Sequence, residues 1–175
     1  MQNELTSRRK KCIIIHAPVR GAYNIIEEGC VKTQEKVMNR RLARETAFKL
    51  LFEKEFHKDC SQEELYATSL DAQGFEDDAY IRDVFFGVLS HREEIDLLIE
   101  KNSRGWKKSR ISPVSLAVMQ LSVYEMLYRK DIPLHVSINE ALELVKAYGD
   151  EGARAFVNGI LHAVSTEAKA ARDEE

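Results

Sequence analysis

Cysteine is scarce in this chain, and the three that occur stand far apart, at Cys12, Cys30 and Cys60. An odd number without a C-x-x-C pair argues against a disulfide framework and against a zinc site built on paired cysteines. The composition therefore predicts a protein of a reducing compartment, the cytoplasm, with no bound metal.

Motifs that hold cofactors are missing as well. The eight glycines include neither a G-x-G-x-x-G fingerprint nor a G-x-x-x-x-G-K phosphate loop. The five histidines lack H-E-x-x-H spacing, and carboxylate pairs such as Glu63-Glu64 are typical of solvated helix faces. These absences predict that the chain is not an enzyme and binds no cofactor.

No apolar run is long enough to cross a membrane. The most apolar stretch, Pro113–Tyr128, has 16 residues, whereas a transmembrane helix needs ~20. Near the N-terminus, the run Cys12–Ile15 is too short for the apolar part of a signal peptide, which has ~7 to 15 residues. We therefore expect neither a membrane segment nor export.

An excess of positive charge is also absent. The formal net charge is −3 and the pI is near 6.0. These values exclude a uniformly basic nucleic-acid binder, but they allow local basic patches.

Two basic patches are present. Arg40, Arg41 and Arg44 crowd the start of a predicted helix, where cations oppose the helix dipole, so they indicate either an external anion or a solvated basic end. The segment KNSRGWKKSR places five cations around Trp106, the only tryptophan. Cations with an aromatic ring suit RNA, but we favour an indole that fills the core beside solubilising lysines.

Helical periodicity, in contrast, is abundant. A helix over Pro113–Tyr128 would be apolar on nearly every side, so other elements must enclose it; Ser112 can cap its start. Glu125 lies within this stretch, and an unpaired buried carboxylate costs several kcal/mol. We therefore interpret Glu125 as a structural polar tie to Asn139, Asn158 or a backbone amide, rather than as a general acid or base.

The other helices are predicted from caps and from apolar residues at helical spacing. They are a helix over 40–56 capped by Asn39, a helix from Ser61 to Leu70, a long helix over 77–102, a helix opened by the capping box Ser137–Glu140 and ended by Gly149, and a last helix from about Asp150. His91, on the apolar face of the long helix, is interpreted as a core or boundary histidine rather than as a ligand.

The fold class follows from these elements. No strand pair appears after residue 39, so the sequence predicts an all-α compact bundle of about six or seven helices. Residues 1–38 are predicted to be an extension of uncertain structure, 39–166 the helical domain, and 167–175 a flexible tail in which the apolar stripe is lost. Because Met38 directly precedes the first helix, we hypothesise that it is the biological start.

Taken together, these segments resemble the NusB family of bacterial transcription antitermination factors. The resemblance covers roughly residues 40–164. Its motifs, in chain order, are RRLARETAFKLLF, the W-x-x-x-R-I that begins at Trp106, VYEML, IPLHVSINEALELVKAYG and FVNGIL.

The resemblance implies two three-helix subdomains around a central buried helix. It implies binding to boxA-type single-stranded RNA together with NusE, a protein of the small ribosomal subunit. The complex would support read-through by RNA polymerase, notably in ribosomal RNA synthesis. The RNA contacts implied are phosphates at Arg40, Arg41 and Arg44 and stacking at Phe52 and Phe156. Some relatives self-associate, so a homodimer stays open.

The chain departs from the family pattern at a few positions. Gln120 stands where an arginine is common, Gly152 where several members carry an acidic residue, and His162 where Asp is frequent. These departures concern contact details more than the fold.

Two other functions stay open on these residues. A helical protein-interaction module whose main ligand is another protein would have the same pattern. An RNA-modifying enzyme is disfavoured, because similar helical domains in some ribosomal RNA methyltransferases precede a catalytic domain, whereas this sequence stops soon after FVNGIL.

Overall fold

Seven α-helices build the part of the chain that the computed structural model describes, residues 39–73, 77–103 and 105–173. They are α1 (Arg40–Phe56), α2 (Gln62–Gln73), α3 (Ala79–Ser90), α4 (Arg92–Asn102), α5 (Pro113–Tyr128), α6 (Leu134–Tyr148) and α7 (Ala153–Asp173), with a 3-10 turn at Lys108–Arg110 between α4 and α5. These ranges contain no strand, so the all-α prediction is confirmed. The predicted extension, residues 1–38, lies outside them.

Helix α5 is the centre of the bundle. Every residue from Ser115 to Met126 is buried, and α1, α3, α4, α6 and α7 all pack against this helix. The Ser112 Oγ accepts a hydrogen bond from the Ser115 amide at 3.2 Å, and a proline occupies the first turn. Because an apolar helix is stable in water only when enclosed, the predicted central buried helix is confirmed.

The remaining helices form two groups around α5. In the first, α1 packs against α2 and α3, and the Tyr66 ring of α2 lies 5.6 Å from the ring of Phe85 in α3, centroid to centroid. In the second, α7 packs against α4 and α6. This arrangement agrees with two three-helix subdomains around a central helix.

Predicted caps at two other helices are present. The Asn39 Oδ1 accepts a hydrogen bond from the Leu42 amide at 2.9 Å, and the Ser61 Oγ accepts one from the Glu64 amide at 3.1 Å. These short polar side chains satisfy first-turn N–H groups that have no partner inside the helix.

The predicted capping box at Ser137 was wrong. Helix α6 already begins at Leu134, after Pro133 in an extended conformation, and the Val136 amide donates to the Pro133 carbonyl at 2.9 Å. Proline has no amide to lose at a helix start, so it can begin the helix without a side-chain cap. Ser137 lies inside the helix and is buried. The predicted end at Gly149 is confirmed, since its amide donates to the Val145 carbonyl at 2.8 Å.

The single long helix predicted over 77–102 is two helices. At His91 the backbone leaves helical geometry, with ψ of 19°, and the chain continues as α4. The His91 Nδ1 lies 2.9 Å from the Gly87 carbonyl oxygen, and its ring lies 4.2 Å from that of Tyr128. His91 thus lies at a boundary, one of the two positions predicted for it. The break between α3 and α4 at this residue was not predicted, because the apolar periodicity continues through it.

Helix α7 extends into the segment predicted to be a flexible tail. The helix continues to Asp173. Contacts with α4 support this part of it, since Glu167 has partners there. The Glu167 carboxylate accepts hydrogen bonds from Lys101 Nζ at 2.9 Å and from Asn102 Nδ2 at 3.3 Å, and Ala168 is buried.

Within the described ranges, no helix is both long enough and apolar enough to span a bilayer.

Candidate nucleic-acid interface

The first turn of α1 presents two arginines to solvent. The Arg41 side chain is 72% exposed, and its Nη2 lies 3.6 Å from the Glu143 carboxylate, which is itself 42% exposed. Such a surface pair holds a guanidinium only weakly. Arg40 is exposed too, and no carboxylate of the described residues forms an ion pair with it. Both cations are available to an external anion.

Arg40 rests on the ring of Tyr80. Its guanidinium carbon lies 5.1 Å from the ring centroid, within the range of a cation–π contact. The guanidinium carbons of Arg129 and Arg44 lie 5.5 and 5.8 Å from the same centroid. Tyr80 therefore fixes the position of Arg40 without neutralising its charge.

Arg44 has a different environment from its two neighbours. It is 5% exposed, and its Nε donates to the Glu125 Oε1 at 2.8 Å. The Tyr80 hydroxyl donates to the same oxygen at 2.5 Å. Arg44 points into the bundle and ties α1 to α5, so of the three predicted arginines the structure brings only Arg40 and Arg41 to the surface.

The charges in this buried cluster stabilise each other. Burial alone lowers the pKa of Arg44, but Glu125, with smaller contributions from Tyr80 and Glu140, outweighs burial and raises it. Burial and the nearby Glu125 carboxylate raise the pKa of Tyr80, so Tyr80 stays a neutral hydrogen-bond donor. Glu125 is a structural polar tie, as interpreted from the sequence, although its partners Arg44 and Tyr80 were not predicted.

A groove opens beside these arginines. It has a volume of about 280 Å³ and is lined by residues that include Asn39, Arg40, Asp78, Tyr80 and Arg129. The Arg129 side chain donates to Asp83 at 2.7 Å and to Asp131 at 2.9 Å. Because carboxylates already engage Arg129, Arg40 is the cation of this groove with the least neutralised charge.

Phe52 belongs to an aromatic cluster on α1. It is half-buried, and its ring centroid lies 6.2 Å from that of Phe48 and 5.0 Å from that of Phe56. Phe56 is 62% exposed. This cluster therefore gives α1 a partly exposed aromatic surface.

Phe156 belongs to a second aromatic cluster, with Trp106. The two ring centroids lie 5.7 Å apart, and Trp106 is 52% exposed. The prediction that Trp106 fills the core was therefore wrong. The chain reverses at Gly105, where φ is +88°, and the Ser103 Oγ donates to the Trp106 carbonyl at 2.5 Å. This turn directs the indole onto the surface of α7.

The structure separates the two predicted stacking residues. Within the described ranges, no ring contact joins the Phe52 cluster to the Phe156 cluster. The sequence analysis did not predict that Tyr80 would contact Arg40 and Glu125. The apolar periodicity of α3 identifies Tyr80 only as a core residue. The exposure of Trp106 could have been predicted, because the five cations that surround it in the sequence are typical of a solvent-exposed segment.

A comparison with known protein families matches residues 41–166, more than half of the chain, to the model of the NusB family. The chain belongs to the NusB family. A NusB from Acetivibrio thermocellus, described as a transcription antitermination protein, is 47% identical over 145 residues, which cover 79% of this chain and 100% of that protein. The Bacillus subtilis NusB is 39% identical over 130 residues, covering 74% and 97% of the two chains. These NusB relatives are named as antitermination proteins rather than as enzymes.

Solved NusB structures share the fold. A NusB structure from T. maritima superposes with a TM-score of 0.68 at 37% identity, over 74% of this chain and 92% of that one. A structure of the antitermination factors NusB and NusE in complex with double-stranded RNA gives a TM-score of 0.66 at 29% identity, over 73% and 96% of the chains. The family motifs and the helical bundle therefore lead to the same identification.

Proposed function

We propose that this chain is a transcription antitermination factor that binds boxA-type single-stranded RNA together with NusE. In this role it supports read-through by RNA polymerase in the cytoplasm, notably during ribosomal RNA synthesis. The role is non-catalytic: the protein holds RNA and a partner in place. The observation that carries the proposal is the pair of exposed arginines, Arg40 and Arg41, at the start of α1 on a NusB fold.

The proposed division of labour among the arginines follows from their burial. Arg40 and Arg41 contact RNA phosphates, since both are exposed and the one ion pair that the described residues form with either of them, Arg41 with Glu143, is itself exposed. Arg44 positions α1 by its buried pair with Glu125 and does not itself reach the RNA. Because the net charge is −3, the cations that favour RNA are confined to local patches, which limits non-specific binding.

The aromatic residues are proposed as the second kind of contact. Base stacking on aromatic rings is tolerant of sequence, because every base has a π-face. Phe52, half-buried beside the exposed Phe56, and Phe156, half-buried beside the exposed Trp106, are the rings assigned to this role. Their separation suits an extended strand better than one compact ligand.

The test is RNA binding measured by fluorescence anisotropy between 50 and 200 mM salt, concentrations over which phosphate contacts weaken measurably. A single-stranded boxA RNA is titrated with the full chain, with and without NusE. In single-stranded RNA each neutralised phosphate contributes about 0.7 to the slope of log affinity against log salt. The double variant Arg40→Gln/Arg41→Gln should bind more weakly, and its slope should flatten by about 1.4.

The matched control removes the same amount of charge elsewhere. Lys58→Gln/Lys169→Gln changes two exposed lysines, Lys58 just after the end of α1 and Lys169 in the C-terminal part of α7, and neither forms an ion pair with the described residues. This control should keep the affinity and slope of the unmodified chain. Equal affinities and slopes in both double variants would refute the arginine site. NusE binding without any RNA binding would favour the protein-interaction module instead.

A further inference from the structure

A second groove lies between the turn after α4 and the surface of α7. It has a volume of about 330 Å³. Trp106 and Phe156 form its aromatic wall, Ala155, Gly159 and Ala163 its floor, and Asn102 lies at its polar edge. The groove is distinct from the cationic groove at the start of α1.

The aromatic wall has a free face. The Trp106 and Phe156 rings are in contact at 5.7 Å, with an interplanar angle of 55°, so no planar ligand fits between them. Trp106 as a residue is nevertheless 52% exposed. A flat ring can therefore stack on the outer face of Trp106, over the floor of the groove.

The floor of the groove consists of residues with small side chains or none. Ala155, Gly159 and Ala163 follow one another at four-residue spacing, which places them on one face of α7. A Cβ added to Gly159 would meet nothing within 4 Å. Packing therefore does not require glycine here, although glycine weakens a helix relative to alanine. Because Gly159 has no side chain, the space above it in the groove stays open.

The chain segment that carries Trp106 is rich in cations, although no charged residue of the described ranges lines the groove itself. The segment of residues 101–110 carries five cations and no carboxylate. Lys107 and Arg110 are exposed, and neither forms an ion pair with the part of the chain that the structure describes. Lys101 and Lys108, by contrast, are paired with Glu167 and Asp96. Lys107 directly follows Trp106 in the chain and Arg110 lies four residues after it. Exposed cations close in sequence to an exposed indole suit a nucleotide, whose base stacks while its phosphate meets a cation.

We propose that this groove binds one unstacked nucleobase of a single-stranded RNA. The base stacks on Trp106 above Gly159, and Lys107 and Arg110 receive the adjoining phosphates. This proposal rests on the proposed RNA-binding function and adds Trp106 and Gly159 to the residues that carry it.

The test uses boxA RNAs in which single bases are replaced, one position at a time, by the fluorescent base 2-aminopurine. With the full chain, we expect strong quenching at one position, where the base stacks on the indole. Trp106→Ala should abolish this quenching and weaken binding by about 5- to 150-fold, the range measured for loss of one base–aromatic stack. Trp106→Phe should retain part of both.

Gly159→Leu separates the groove from the fold. The added side chain fills the groove without meeting a neighbour within 4 Å at its Cβ, and leucine is a better helix former than glycine. The variant should therefore melt no lower than the unmodified chain and yet lose the quenching. The matched control, Ala67→Leu, adds leucine at an exposed position of α2 and should leave both the affinity and the quenching unchanged.

The outcomes distinguish this proposal from the broader one. If the unmodified chain binds RNA with the expected salt slope, but Trp106→Ala and Gly159→Leu bind equally well, the groove proposal is overturned and RNA binding stands. If Gly159→Leu instead loses NusE binding and keeps RNA binding, the groove is a protein site and the proposal is wrong. If the unmodified chain binds no RNA at all, both proposals fail.

Discussion

Arg44 and Glu125, 81 positions apart in the chain, meet inside the bundle, where Arg44 Nε donates to Glu125 Oε1 at 2.8 Å. Their side chains are 7% and 0% exposed. Three and four residues before Arg44 in the same helix, Arg41 and Arg40 are exposed to solvent instead. One helix start thus carries both a buried anchor, Arg44, and two exposed cations.

Removing the anchor should destabilise the fold. Arg44→Ala removes the cation that pairs with the buried Glu125 carboxylate, and breaking a buried pair from one side costs about 3 to 5 kcal/mol. The free energy of unfolding, measured by urea denaturation, should fall by this amount. Arg41→Ala is the control and should change it by less than about 1 kcal/mol, because its pair is exposed. Similar losses in the two variants would contradict the assignment.

Gly87 sets the distance between α3 and α5. A Cβ at this position would lie 2.2 Å from the Cζ and Oη atoms of Tyr124, far inside van der Waals contact. Gly87→Ala should therefore lower the free energy of unfolding by about 1 to 3 kcal/mol, the usual cost of overpacking, despite the better helix propensity of alanine.

Two further variants check that cause. Gly159→Ala, where a Cβ meets nothing within 4 Å, should raise the melting temperature slightly. Gly87→Ala should cost less unfolding free energy when it is added to Tyr124→Leu than when it is added to the unmodified chain, because the ring that the new Cβ would meet is gone. A Gly87→Ala protein as stable as the unmodified chain would show that the helices separate at no cost.

The helices were predictable because their signals are local. The caps at Asn39, Ser61 and Ser112 lie within three residues of the amides that they bind. The apolar character of Pro113–Tyr128 required enclosure whatever surrounds it. Local chemistry of this kind is readable from one chain.

The partners of buried polar groups were not predictable, because they depend on how distant helices pack. Glu125 was recognised as a tie, yet Arg44 comes from a helix 81 positions away, and in the sequence it is indistinguishable from Arg40 and Arg41. Whether Trp106 points inward or outward depends on one turn at Gly105. The candidate surface therefore stays a prediction, and the structure adds the burial that separates the exposed Arg40 and Arg41 from the buried Arg44.

The end of α7 should respond to pH. Hydrogen bonds from Lys101 and then Asn102 lower the pKa of Glu167. A carboxylate with a lowered folded-state pKa stabilises the fold above its unfolded-state pKa, and this contribution is lost as the pH falls through the folded-state value. The group is partly exposed, so the effect should be at most about 1 kcal/mol.

Amide hydrogen exchange, corrected for intrinsic rates, measures this effect. Protection of the last two turns of α7 should decrease as the pH is lowered from neutral to below the pKa of Glu167. Glu167→Gln should show weaker protection at neutral pH and little further change on acidification. An identical pH profile in the variant would mean that Glu167 does not hold this end of the helix.

Ser112 and Ser137 look alike in the sequence but should differ in what their hydroxyl groups contribute. The Ser112 Oγ accepts a hydrogen bond from the Ser115 amide at 3.2 Å, so Ser112→Ala should cost about 1 kcal/mol of unfolding free energy, the usual cost of a lost N-cap. The Ser137 Oγ is buried, and within the described residues it has no hydrogen-bond partner. Ser137→Ala removes that unsatisfied group and introduces a better helix former, so the protein should be as stable or more stable. Urea denaturation of both variants decides the matter, and a cost of about 1 kcal/mol for Ser137→Ala would mean that this hydroxyl is bonded after all.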